Sequence, residues 1–168
     1  MSRPQPEEFG VFYQKYIDTV SDNVIADLEA QVSSFPEFLN SIPTEKENYA
    51  YAEGKWTIKE LLGHVIDTER IMTYRLTRFS RMDKTELAGF EENSYVANAH
   101  FKDRSMKSFV EEFKLLRSAN MFLFQSLSEE ELNRKGVANG NAISVKALLF
   151  VIAGHLKHHR NIITERYL

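Results

Sequence analysis

At 168 residues the chain is long enough to bury one sizeable core but not two, so a single domain spanning 1–168 is expected. Hydrophobic content of 43% with 27% charged residues, seven glycines and four prolines is that of a globular, helix-leaning protein rather than a low-complexity or membrane-spanning one. A net charge of -3 without any run of Lys or Arg argues against nucleic acid as a partner, and the absence of cysteine removes disulfides, thiolate nucleophiles and Cys-type metal sites, leaving His, Asp and Glu as the strong ligands.

The opening residues, MSRPQPEEFG, carry no apolar core of a signal peptide, and no later run approaches the length that crosses a bilayer. A cytoplasmic location with no membrane partner is the expectation. An aromatic lead-in (Tyr13, Tyr16, Ile17, Val20) precedes Ser21, read as the N-cap of a first helix carrying Val24, Ile25, Leu28 and Val32 at helical spacing. Pro36 either kinks this helix or starts a second short piece, and Pro43 closes it. The polar stretch 44–55 reads as a loop whose Tyr49 and Tyr51 lie against the protein.

Thr57-Ile-Lys-Glu60 is a capping box, flanked by Trp56 and Leu61 at the positions of a hydrophobic staple. The helix it opens presents Ile58, Leu61, Val65, Met72, Leu76 and Phe79 on one stripe and ends near 80–83. His64 falls on the edge of that stripe with Thr68, Ile71 and Arg75 beside it, where a residue lining a cleft would stand. Asp67 is expected to pair with Arg70, and Glu69, on the far side of the stripe, with Arg160 or Arg117.

Residues 83–104 read as a long connection with short helical turns that places Phe90 and Tyr95 inward. Ser105 caps a third helix with a broad apolar face (Phe109, Phe113, Leu116, Phe124 among others). Ser128-Glu-Glu-Glu131 forms a second capping box, opening a short helix stopped by Gly136. The Asn139-Gly140-Asn141 turn leads to Ser144, the N-cap of a terminal helix, and no strand pattern is evident. Four main helices around one core is the expected architecture.

The terminal helix carries three of the five histidines within one turn. Its stripe is set by Val145, Leu148, Leu149, Ile152, Leu156 and Ile163; against it His155 and His159 face inward on one side, while His158 points to solvent or a neighbour. His155 and His159 are i and i+4, which stacks two imidazoles so that both reach one cation. His64 is the candidate third ligand from a second helix, since His100 falls in the long connection. Three neutral imidazoles with further positions open describe a metal site of the catalytic type. The alternative at this level is a pair of half-buried histidines bonded to carbonyls, with His64 on the rim. Gly154, tolerated in a helix at about 1 kcal/mol relative to alanine, points to a close neighbour or ligand beside His155.

The segment from Gly54 through Trp56, Thr57, Glu60, His64 and Arg70, followed by Arg75, the 90–95 region, Ile143-Ser-Val and Ala153-Gly-His155-Leu-Lys-His-His159, resembles the DinB/YfiT-like superfamily over about residues 16–168. The resemblance implies an all-α fold, a four-helix bundle with a long crossover connection. It also implies a divalent metal ion, zinc or nickel, held by His64, His155 and His159. It further implies small-molecule chemistry of the S-transferase or isomerase type, in which the metal holds a low-molecular-weight thiol such as bacillithiol or mycothiol as thiolate. A hydrolase activating water at the metal, or a non-catalytic metal- or ligand-binding stress protein, are the alternatives, and a homodimer is the oligomeric expectation. No acid or base beyond the ligands is assigned.

Overall fold

The computed structural model describes residues 1–168. Seven α-helices are present: α1 Gln14–Ile17, α2 Val24–Asn40, α3 Ile58–Ser80, α4 Glu92–Asn98, α5 Met106–Ser126, α6 Glu129–Leu132 and α7 Val145–Arg166. Two short strands, β1 Lys135–Ala138 and β2 Asn141–Ser144, precede α7. The bundle proper is α2, α3, α5 and α7: α2 packs on α5 and α7, and α3 packs on the same two helices. Consecutive helices α2 and α3 therefore occupy opposite corners, and the long connections 41–57 and 81–105 carry the chain around the ends. No helix is long and apolar enough to cross a membrane.

Local chemistry accounts for most boundaries. Both halves of the capping box open α3, with the Thr57 N–H donating to Glu60 Oε2 at 2.8 Å and the Glu60 N–H donating to Thr57 Oγ1 at 3.3 Å. Ser105, Ser128 and Ser144 each accept the N3 amide as caps of α5, α6 and α7. The cap of α2 is Asn23 rather than Ser21: Asn23 Oδ1 accepts from the Ala26 N–H, while the Ser21 N–H turns to Asp27. Asparagine caps as well as serine, and it directly precedes Val24, the helix's first buried residue. Pro36 neither ends nor restarts α2. The helix runs through it because Leu28, Phe35 and Leu39 bury one continuous face, offsetting the backbone hydrogen bond that proline cannot make.

Two further expectations are corrected. Residues 135–144 form an antiparallel hairpin with Lys135 opposite Ser144 and Ala138 opposite Asn141. Its turn is Asn139-Gly140, both at positive φ (51° and 70°), the pair that two-residue hairpin turns favour. Gly136 is consequently in a strand, pressed on the Phe79 ring, and α6 ends at Leu132 with Asn133 as its C-cap. Tyr95 does not point inward: it is 48% exposed on α4, which instead buries Val96, and Phe90 is only half-buried.

The apolar interior forms two clusters. One holds Leu28, Met72, Leu76, Met121 and the first half of α7 through Ala153; the other holds Phe35, Leu62, Ile66, Phe113, Leu156 and Ile163. Between them lies a polar layer, one residue from each bundle helix: Gln31, Glu69, Arg117 and His155, all buried. Gln31 Nε2 donates to the Ala153 carbonyl at 2.9 Å, tying α2 to the backbone just before His155.

Gly154 is explained by the docking of α1 on α7. A Cβ built there falls 2.1 Å from the Tyr16 carbonyl oxygen, which is backbone and cannot swing away. Helix propensity alone would make Gly154→Ala stabilising by about 1 kcal/mol. The clash reverses the sign, and a net loss of about 2–3 kcal/mol, read as a lower urea midpoint at unchanged slope, is expected. A variant as stable as the parent would mean that α1 does not seat on α7 in solution.

Candidate metal centre

The three histidines come from α3 and α7, which cross at the polar layer. His64 occupies the second turn of the capped helix α3, so its position follows from a well-fixed helix start. On α7, His155 and His159 stack one turn apart with ring centroids 4.4 Å apart. The His155 Nε2 lies 3.1 Å from the Nε2 of His64 and 3.0 Å from that of His159. All three side chains are buried, and one nitrogen from each lies within 4.8 Å of the others. His158 is half-buried, with its ring edge-on to Tyr16 at 5.3 Å and to His159 at 5.1 Å, and His100 is exposed in the connection; neither offers a nitrogen to the three that converge.

Burial pushes the His64 pKa down to about 4. Burial first, then the neighbouring His64, His158 and Lys15, push His159 down to about 2. His155 is held well below its ordinary value by burial and by the two adjacent imidazoles. At neutral pH all three rings are therefore uncharged, each with a lone pair on one nitrogen. Hydrogen bonding among the rings cannot satisfy this arrangement. Nε2 of His155 touches both neighbours, yet a ring nitrogen has only one proton to give or one lone pair to offer. Nitrogens each about 2.0–2.1 Å from one tetrahedral ion lie roughly 3.3 Å apart, so the spacing of these nitrogens fits a single cation.

Two clefts open on either side of the cluster. The first, about 260 Å³, reaches His64 and His155 and is walled by Tyr13, Tyr16, Met72, Arg75, Phe90 and Glu92. The second, about 240 Å³, reaches His159 between Trp56, Leu61, Asn93, Ile162 and Tyr167. Glu92 and Asn93, neighbours on the first turn of α4, divide the two. Glu92 Oε2 is 4.0 Å from His64 Nε2 and is the acid nearest the cluster. Burial, then the Glu92 charge, push the Tyr16 phenol above its ordinary value, so it stays protonated.

The sequence located the histidines and put Arg75 beside His64, but it missed Tyr13, Tyr16, Lys15 and Glu92 as cleft residues. The aromatic run 12–16 was the available signal for the first group: a surface lead-in has little use for Phe12, Tyr13 and Tyr16 so close together. Glu92 gave none, because its role depends on how α4 folds back over α3. The expected Asp67–Arg70 pair is present at 3.3 Å, and Glu69 pairs with Arg117 rather than Arg160.

Comparison with known proteins follows the same lines. A curated protein of Oceanobacillus iheyensis, named "Putative metal-dependent hydrolase OB0413", is 23% identical over 136 residues, covering 80% of this chain and 78% of that one. The fold matches that of YfiT from Bacillus subtilis, described as "a probable metal-dependent hydrolase with an unusual four-helix bundle topology", with a TM-score of 0.74 at 16% identity over 98% of this chain and 91% of YfiT. A mycothiol-dependent maleylpyruvate isomerase superposes with a TM-score of 0.68 at 12% identity, over 86% of this chain and 61% of the isomerase. The model of the DinB superfamily matches residues 27–163, a span that includes all three clustered histidines, and the chain belongs to that superfamily.

Proposed function

We propose that the chain is a metal-dependent enzyme in which His64, His155 and His159 hold one divalent ion, zinc or nickel, and a low-molecular-weight thiol is transferred to a small electrophile. The observation that carries this reading is the convergence of three uncharged imidazole nitrogens at the meeting point of two separate clefts. Two clefts suit two reactants, a thiol on one side and its electrophile on the other. When bound, a divalent ion supplies Lewis acidity that favours a thiolate, or activates water, near neutral pH. The chain contributes the rest. Burial keeps the imidazoles neutral and available as donors; Glu92, exposed and next to His64, accepts the proton that the nucleophile gives up; the protonated Tyr16 phenol donates a hydrogen bond into the first cleft.

A second reading, hydrolysis with water as nucleophile, is favoured by the names of the Oceanobacillus and Bacillus relatives. One assay separates the two. Metal-loaded and metal-free protein are given a model electrophile with a panel of small thiols, and in parallel a set of activated esters and amides without thiol. Metal-dependent conjugation with at least one thiol is expected. Metal-dependent cleavage that needs no thiol would move the assignment to a hydrolase, and turnover of neither kind would leave a metal- or ligand-binding protein.

A further inference from the structure

We propose that Arg75 is the anion-recognition group of this site and that the substrate entering the first cleft carries a carboxylate, bound by Arg75 with its reactive end toward the histidines. The proposal rests on reading the histidine cluster as the reacting centre, which decides which end of the substrate faces it.

Arg75 is 3% exposed, yet none of the chain's ion pairs includes it. Its guanidinium gives one N–H to the Ala88 carbonyl at 3.0 Å and makes a weak contact with the Met72 sulfur at 3.7 Å. The neutral Tyr13 phenol interacts with the guanidinium and the Phe90 ring lies 6.0 Å from it, but no carboxylate neutralises this five-donor group, and the residue lines the first cleft. The other deeply buried arginine makes the contrast: Arg117 is fully enclosed and is held by both oxygens of Glu69, at 2.7 and 2.9 Å, and by Gln31. A buried cation is costly unless it is paired. Arg117 has its counter-charge within the fold, whereas Arg75 has only neutral partners there and is left to find an anion in what enters the cleft.

Placement supports the same conclusion. Arg75 is eleven residues after His64 on α3, three turns on and within about 20° of the same face, roughly 16 Å along the axis. Helical side chains lean toward the N-terminus, so the guanidinium reaches back toward His64 and leaves room for a skeleton of a few carbons. Phe12, Tyr13, Phe90 and Val151 supply apolar and aromatic wall for that skeleton. Lys15 adds a second positive charge to the lining, and the lone acid, Glu92, is beside His64 rather than paired with Arg75. The guanidinium fork fits carboxylate and phosphate alike, but one such charge over an apolar wall balances a carboxylate monoanion and leaves a phosphate dianion half neutralised.

The test uses metal-free protein at pH 8, so that direct binding of the anion to a metal or to charged imidazoles does not enter. Thermal shift and calorimetric titration are run with benzoate and butyrate, with their neutral counterparts benzamide and butyramide, and with inorganic phosphate, on wild type, Arg75→Gln and Arg75→Lys. Saturable binding of at least one carboxylate, absent for the matching amide, is expected. Arg75→Gln should weaken it roughly ten- to hundredfold, as for loss of a charged hydrogen-bonding partner, and Arg75→Lys should fall between. Near-UV circular dichroism checks the fold, and if Arg75→Gln does not fold, the comparison of wild type with Arg75→Lys carries the test. Equal carboxylate affinity in the folded variants, equal binding of acid and amide, binding of phosphate alone, or no binding of any probe would each overturn the proposal. Failure of the histidine reading would appear separately, as a wild-type protein that retains no divalent ion.

Discussion

His155→Ala is expected to empty the metal centre and to bring metal-dependent turnover to background, the largest functional effect of any single substitution in the chain. His155 is the middle residue of the proposed ligand set: its Nε2 is within 3.1 Å of both other Nε2 atoms, so its loss leaves two nitrogens that no longer share a neighbour. Residues that merely orient a ligand are worth about 10–100-fold in metal affinity, so loss of a ligand should cost at least about a hundredfold. Elemental analysis of protein purified without nickel-affinity steps should find about one divalent ion per wild-type chain and almost none in His155→Ala, with His64→Ala and His159→Ala behaving alike. His158→Ala is the internal control. It removes a histidine from the same turn of α7 but not from the cluster, and it should keep its ion. Helical circular dichroism should persist in all four, because the histidines sit at the junction of two apolar clusters that do not depend on them. Full occupancy in His155→Ala would dismiss the three-histidine assignment.

The bundle was legible in the sequence wherever local chemistry and long apolar periodicity agreed. The capping box at Thr57, the serine caps at 105, 128 and 144, and the inward phase of His155 and His159 are all local facts, fixed by the helix period and by side chains within four residues. What escaped depends on contacts between distant segments. The strands at 135–144 are only four residues each and are fastened from outside, by Leu87 bonding on both sides of Ala138. Their alternation is too short to register as a pattern, although Asn139-Gly140 is a strong turn signal on its own. Tyr95 was expected inward because aromatics usually bury, but a seven-residue helix has one buried position to offer and Val96 fills it. The same reason hid the cleft. Tyr16 and Glu92 lie far from the histidines in sequence, and only the docking of α1 on α7 and of α4 on α3 brings them there.

The largest loss of stability is expected from breaking the Glu69–Arg117 pair on one side. Arg117 on α5 is fully buried and Glu69 on α3 nearly so; two N–H groups of the guanidinium meet the two carboxylate oxygens. The rest of the network extends from this pair. Arg117 also donates to Gln31 Oε1 at 2.5 Å, Asn120 Nδ2 donates to Glu69 at 3.0 Å, and Gln31 passes the connection to the Ala153 carbonyl. Glu69→Leu strands a cation in the interior, and a loss of about 3–5 kcal/mol is the usual scale for that. Arg117→Met should be similarly severe, since it strands the carboxylate. The double variant Glu69→Leu/Arg117→Met removes both charges and should be less damaging than either single change, because two buried ions lose their desolvation cost together with their attraction. Chemical denaturation of the four proteins closes the cycle, and additive losses would mean that the two charges are not coupled. The network also predicts where the double variant falls short. An apolar layer gives α2, α3, α5 and α7 no preferred level, whereas the Arg117 fork and the Gln31–Ala153 bond set their heights against one another one residue before Gly154 and two before His155. Stability recovered by the double variant should therefore come with weakened metal retention, the opposite of what a merely stabilising ion pair would give.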